Sequence, residues 1–327
     1  MKRSYFDTSP KTAKNIREIY EHVGDIKLTG SARTKYNLKT IGVPFSYMML
    51  SLALSKAKSK FNKYEKEGKP LATAAERYKH VNKIIKRALN AKRVKYFEFG
   101  FNNIPKTPVL FVANHKSNID GLLMFDITYR HYEFPYLRVV AKKELEDEGR
   151  ISHALKLVDT IFIDRNDIRN LNQVISEEVQ AFHDDCSLLV FPEGTRVKGD
   201  QLGEFHSSSL EVAFQTYAPI VPICIFGTDG FLSEKGINNS SKPAYNIAEI
   251  VVDALEPIKY SEYMHWTRPH LAEVLKERIQ QRYDLWKENA QFMYSSKFKK
   301  EEKKNPLQSY KELNEQERKI NKSRINN

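Results

Sequence analysis

Seven short apolar runs limit the fold of this chain more than any other feature: Val94–Phe99, Val109–Ala113, Tyr136–Ala141, Thr160–Asp164, Ser187–Phe191, Ile220–Phe226 and Ile247–Val252. Their length suits strands, and several gaps between them suit helices, such as 168–182 and 210–216. A strand that is apolar along its whole length is covered on both faces, and strands alternating with helices pair in parallel. The expectation is an α/β fold: a mainly parallel, roughly seven-stranded sheet with helices on both faces, preceded by an N-terminal helical arm. No internal repeat is apparent.

The flanks read differently. Ala75, Tyr78, Val81, Ile84, Ile85 and Leu89 recur with helical period, and so do Leu271, Val274, Leu275, Ile279, Tyr283 and Trp286 after Pro269. From about Lys297 the chain is rich in Lys, Glu and Asn and poor in apolar residues, which predicts a solvated helix or disorder. We therefore divide the chain into a basic helical, membrane-associating arm (1–90), an α/β domain (91–265), and a C-terminal helix with a polar tail (266–327).

Charge is unevenly spread along the 327 residues, whose formal net charge is +12. Residues 1–100 hold 23 Lys+Arg against 8 Asp+Glu, residues 101–250 hold 14 against 21, and residues 251–327 hold 16 against 12. A positive amino-terminal arm suits an anionic surface, either phospholipid headgroups or nucleic acid. Nucleic acid is the poorer fit, because no RNP-like strand, zinc spacing or helix-turn-helix signature accompanies the charge. The apolar run Ile41–Leu54, with lysines on both sides, is shorter than the roughly 20 residues a spanning helix needs. It suits either the headgroup layer or a helix packed on the main domain. The first residues lack a signal-peptide pattern, so the chain is expected to stay inside the cell. Cys186 and Cys224 are too few for a disulfide framework or a four-cysteine zinc site, which predicts free thiols and a reducing compartment.

Chemistry concentrates where strands end. Val109–Ala113 runs into Asn114-His115-Lys116-Ser117-Asn118-Ile119-Asp120. If Ser117 or Asn118 caps a helix, Asp120 falls in its first turn and can reach back to His115, as an orienting carboxylate reaches a base. Ile163-Asp164-Arg165 and Phe191-Pro192-Glu193-Gly194-Thr195-Arg196 follow two further strands, and Ile220-Val221-Pro222-Ile223 opens a third. All are expected at one edge of the sheet, where open α/β sheets bind ligands. Arginines there suit a phosphate, which a planar guanidinium holds with two hydrogen bonds. Gly194 suits a close backbone approach or a positive φ.

These blocks, in this order, closely resemble those of the glycerolipid acyltransferases of the 1-acylglycerol-3-phosphate acyltransferase type. Asn114–Asp120 is similar to that family's first block (His, four residues, Asp), Phe162–Arg165 to its second, Phe191–Arg196 to its third and Val221–Ile223 to its fourth. Ala141-Lys142-Lys143-Glu144-Leu145 matches a lysine-bearing stretch between the first two. The likeness spans about Val94–Val252. It departs at Phe205-His206-Ser207-Ser208-Ser209, where the family usually has Phe-Lys and a Gly, and at Asp159-Thr160, where a glycine is common.

The resemblance implies that His115 is the general base for an acceptor hydroxyl and that Asp120 fixes its tautomer. It implies that Lys142, Arg165 and Arg196 hold the acceptor phosphate, that Glu193 orients Arg196 or the acceptor beside Gly194 and Thr195, and that Pro222 shapes the pocket wall. Asn114 or helix-start N–H groups are candidates for the oxyanion. The implied activity is acyl transfer from an acyl-thioester, on acyl carrier protein or coenzyme A, to the sn-2 hydroxyl of a lysophosphatidate-like acceptor, forming phosphatidate. It needs neither cofactor nor metal, and would take place at the cytoplasmic face of an anionic membrane without nucleic acid. Glycerol-3-phosphate or another lysophospholipid is the alternative acceptor, and a non-catalytic basic binder is the alternative from another class.

Overall fold

The computed structural model describes residues 42–68, 74–92, 94–131, 136–164, 167–229 and 248–294. Two helices come first, α1 (Gly42–Lys66) and α2 (Ala74–Ala91). The sheet region follows as β1 (Val94–Phe99), β2 (Leu110–Ala113), α3 (Ile119–Arg130), β3 (Tyr136–Lys142), α4 (Gly149–Leu157), β4 (Ile161–Ile163), α5 (Ile168–His183), β5 (Cys186–Val190), α6 (Glu211–Thr216), β6 (Ile220–Phe226) and β7 (Ala248–Ala254). A short α7 (Tyr260–Tyr263) and a long α8 (Arg268–Tyr294) close the described chain. All seven expected strands are present.

The strands form one sheet in the order β1-β7-β6-β2-β5-β3-β4. Every neighbouring pair is parallel except β6 with β7, so β1 and β7 run opposite to the other five. The three central strands, β6, β2 and β5, are buried at every position. That is why they read as unbroken apolar runs rather than as alternating patterns.

Alternation instead sorts their side chains between two cores. Leu110 and Val112 of β2 face a cluster built with Val174 and Ala181 of α5, Val212 of α6 and Leu271, Leu275 and Ile279 of α8. Phe111 and Ala113 face the opposite cluster, built with Ala57 of α1, Val81 and Ile85 of α2, Leu123 of α3 and Leu157 of α4. Both faces are thus covered by helices. The two described helices of the amino-terminal region share a core with the sheet.

The apolar run Ile41–Leu54 lies within α1 from Gly42 on, and that helix divides it. Ala53 and Ala57 are buried, whereas Tyr47, Met48 and Leu52 are exposed. No helix among the described residues is long and apolar enough to cross a membrane. Cys186 and Cys224 are free and buried. The tail from Lys297 lies outside the described residues.

Candidate active site

The order of strands brings the first and third blocks together. β5 pairs with β2 in parallel, Val112 opposite Val190, so the turns leaving both strands emerge side by side. Each turn then reaches the other. Glu193 is buried, and its Oε1 accepts the main-chain N–H of His115 at 2.8 Å. In the reverse direction Val197 N–H donates to the His115 carbonyl at 3.0 Å. The imidazole of His115 stacks on the Phe191 ring, with centroids 4.2 Å apart. Backbone and ring of His115 are therefore both fixed by residues nearly eighty positions later.

Asp120 enters from the first turn of α3. Its Oδ2 lies 3.0 Å from His115 Nδ1 and accepts the N–H groups of Lys116 and Ser117, each at 2.8 Å. A carboxylate only accepts, so we assign the imidazole proton to Nδ1, which leaves the Nε2 lone pair free to take a proton. Asp120 is fully buried, while the His115 side chain keeps 19% of its surface exposed. That pairing suits a base that must meet a substrate and an orienter that must not.

Of the two expected caps, Ser117 rather than Asn118 meets a helical N–H. Asn118 occupies the cap position without a side-chain hydrogen bond, and Ser117 Oγ accepts the Ile119 N–H at 3.3 Å. Asp120 Oδ2 binds the N–H groups of the turn before the helix, those of Lys116 and Ser117, rather than helical ones. Asn114 is no oxyanion donor, because its side chain is fully buried and exchanges two hydrogen bonds with the Ile225 backbone, at 2.9 and 2.7 Å. An amide locked to an adjacent strand and wholly buried is held away from any substrate.

Glu193 also departs from its expected part. Its second oxygen, Oε2, accepts Gly203 N–H at 2.8 Å, so both oxygens tie main chain together rather than face a substrate. Burial pushes its carboxyl up, against the pull of the His115 and Gly203 N–H groups and of Lys116. A side chain at position 203 would collide here, since a Cβ on Gly203 would lie 2.7 Å from Val197 Cγ2 and 3.0 Å from Glu193 Oε2. Gly194 adopts a φ of 66°, in the left-handed region that glycine enters without strain.

The remaining expected residues spread along the sheet edge. Thr195 is exposed and Arg196 half-buried, both just past the Glu193 turn. Lys142 ends β3 in an exposed position, two strands from β2. Arg165 lies outside the described residues. The strand leading toward it, β4, is the outermost, three spacings or about 14 Å from β2. Pro222 lies within β6 rather than at the sheet edge. It stands opposite Val112, is buried, and its carbonyl accepts Leu255 N–H at 2.9 Å. Its place is three residues below the level of His115, because β6 continues upward to Phe226.

Sequence reading missed Phe191 as the partner of the imidazole, and it missed Lys116. Phe191 opens the third block, but an aromatic at a strand end gives no signal of which ring it meets. Among the described residues, no three His, Cys, Asp or Glu side chains form a group that could hold a metal ion.

The model of the acyltransferase family matches residues 97–226, a span that contains the whole His115–Asp120 and Glu193–Arg196 arrangement. A Mycoplasma pneumoniae protein named "Probable 1-acyl-sn-glycerol-3-phosphate acyltransferase" is 36% identical over 190 residues, covering 57% of this chain and 71% of the relative. A protein of the same name from Mycoplasma genitalium is 34% identical over 230 residues, covering 68% of this chain and 83% of the relative. The chain belongs to the acyltransferase family. A solved structure of similar fold is the 1-acyl-sn-glycerophosphate acyltransferase PlsC from Thermotoga maritima. It superimposes with a TM-score of 0.50 at 19% identity, covering 85% of this chain and 98% of that one.

For an acyltransferase the arrangement has a direct chemical meaning. An imidazole held through Nδ1 turns its Nε2 away from the carboxylate, the position from which a histidine can take a proton.

Proposed function

We propose that this acyltransferase moves a fatty acyl group from an acyl-thioester to the sn-2 hydroxyl of 1-acyl-glycerol-3-phosphate, giving phosphatidate for phospholipid synthesis. The observation that carries the proposal is the 3.0 Å contact of His115 Nδ1 with the buried Asp120, at the edge where the third block also ends. In this reading His115 Nε2 takes the proton from the acceptor hydroxyl as its oxygen attacks the thioester carbonyl. Asp120 holds the tautomer and stabilises the imidazolium that forms. When the tetrahedral intermediate collapses, the proton passes to the departing thiolate, so acid and base roles alternate on one nitrogen. Arg196, with Lys142 at the end of β3 and with Arg165, provides the positive charge for the acceptor phosphate. Thr195 and Gly194 form the turn that delivers Arg196.

The donor carrier is either acyl carrier protein or coenzyme A, and both leave as thiols. We further infer that the enzyme works at the cytoplasmic surface of an anionic membrane. The exposed Tyr47, Met48 and Leu52 of α1 and Ile151 of α4, beside the exposed Lys56 and Lys58, support that reading. Residues of this kind bury in the headgroup layer while lysines pair with anionic lipid.

The test is incubation of the purified protein with each acyl-thioester donor and a panel of 1-acyl-glycerol-3-phosphate, glycerol-3-phosphate and phosphate-free lysolipids, with His115→Ala as control. Phosphatidate should form with the first acceptor and fall by about 10²–10⁴ in the variant. A folded His115→Ala protein of near-wild-type turnover would refute the mechanism, and preference for another acceptor would refute the substrate.

A further inference from the structure

Residues 191–206, from the third block to the turn before α6, contain neither helix nor strand. A loop of this length at a site would ordinarily be loosely held, yet its middle is tied at almost every residue. The ties come from two directions, and one residue accounts for much of the nearer set.

Lys116 follows His115 and is only 5% exposed. Its Nζ donates to the carbonyls of Gly199 at 2.7 Å and Gln201 at 2.9 Å, and lies 5.3 Å from the centre of the Tyr283 ring. An ammonium removed from water in this way needs such partners, because its burial is costly otherwise. The main-chain N–H of the same residue donates to Asp120 Oδ2 at 2.8 Å. Lys116 thus holds the orienting carboxylate with its backbone and the loop beyond Arg196 with its side chain.

From the far side, Gln280 of α8 accepts Leu202 N–H at 2.7 Å and donates to the Asp200 carbonyl at 3.1 Å. Lys287 of the same helix pairs with the Asp200 carboxylate at 2.6 Å. Glu193 receives Gly203 N–H, and the Asp229 carboxylate receives that of Gly199. The segment 199–203 is clamped between the turn that carries His115 and the C-terminal helix.

We propose that Lys116 is a positioning residue for the acceptor side of the site, setting the loop that follows Arg196, with Gln280 as its counterpart on α8. This rests on the acyltransferase reading above. Lys116 touches no reacting atom in this scheme. It fixes where the backbone after Arg196 runs, and through that the place of the guanidinium relative to His115. The long helix α8 then contributes to substrate binding as well as to the core.

The test compares Lys116→Met, which keeps the stem and removes the donors, with Lys116→Gln, which restores two N–H donors. Two readouts are taken, amide hydrogen exchange in a peptide spanning 199–203 against one spanning 109–113, and KM for lysophosphatidate against KM for the acyl donor. Lys116→Met should speed exchange in 199–203 and raise the acceptor KM, each by about tenfold, as expected for loss of a charge-assisted hydrogen bond. Exchange in 109–113 and the donor KM should stay near wild type, and Lys116→Gln should recover most of the loss. Wild-type exchange in 199–203, or equal rises in both KM values, overturns the proposal. Should Lys116→Met not fold, Gln280→Ala, at a half-buried position of α8, must show the same signature or the proposal falls. If the wild-type protein fails to acylate lysophosphatidate, the functional reading is lost, while the exchange data still decide whether Lys116 holds the loop.

Discussion

Glu193 accepts the main-chain N–H of His115 through one carboxylate oxygen and that of Gly203 through the other, both at 2.8 Å. One buried side chain thus joins the turn after β2 to the loop after β5. Glu193→Gln keeps the size but sets an NH₂ donor against one of these N–H groups. A buried donor left unsatisfied costs about 1–3 kcal/mol, so the melting temperature should fall and turnover should drop with it. An unchanged melting curve would show that the two N–H groups find other acceptors.

Asp120 carries three donors on one oxygen. Asp120→Asn retains a carbonyl oxygen for the Lys116 and Ser117 N–H groups but loses the charge that stabilises an imidazolium. We expect kcat to fall by about 10²–10⁴ with a much smaller change in stability. Activity within a few-fold of wild type would leave Asp120 as a tie for the turn after β2 and nothing more.

Arg196 stands beyond the Gly194 turn on the acceptor side of the scheme. Arg196→Ala should raise KM for lysophosphatidate, or lower kcat/KM for it, more than it alters use of the acyl donor. A single charge-assisted contact is worth about 1.5–3 kcal/mol, which is roughly a ten- to hundredfold effect. The same loss with a phosphate-free acceptor would remove phosphate from its role.

Glu178 lies on the buried side of α5 with 4% of its surface exposed, and burial pushes its carboxyl from 4.5 up to about 8. Between those values the folded protein keeps a proton that the unfolded chain has lost. Its contribution to stability is therefore full below the lower value and is lost as pH rises toward the upper, at a limiting slope of about 1.4 kcal/mol per pH unit. Glu178→Gln should be no more stable than wild type at acid pH and increasingly more stable toward pH 8. Urea midpoints across that range check this, and parallel curves for the two proteins would refute it.

The strand pattern was legible because burial on both faces leaves a local trace. A strand such as Leu110–Ala113, with every position covered, can only be apolar, and its two turn-bounded ends mark its length. The helical stripe of α2 was legible for the same reason. The reversed direction of β1 and β7 was not, because pairing direction is set by the path of the connection and leaves no mark in strand composition. The His115–Asp120 contact was readable too, since five residues across a turn and into a helix leave few geometries.

Amino-acid sequence alone thus determined the α/β class, the strand ends and the local pair of imidazole and carboxylate, all of which depend on short-range chain geometry and hydrophobic burial. Tertiary structure alone decided what the other residues do. Once β5 lay beside β2, Glu193 became a tie between main chains rather than a substrate contact. The adjacent strand claimed the Asn114 amide, Pro222 sank into the body of β6, and the Lys116 ammonium was taken up in holding residues 199–203. Each outcome depends on which strand is the neighbour, and that is fixed only when the whole sheet closes on its helices.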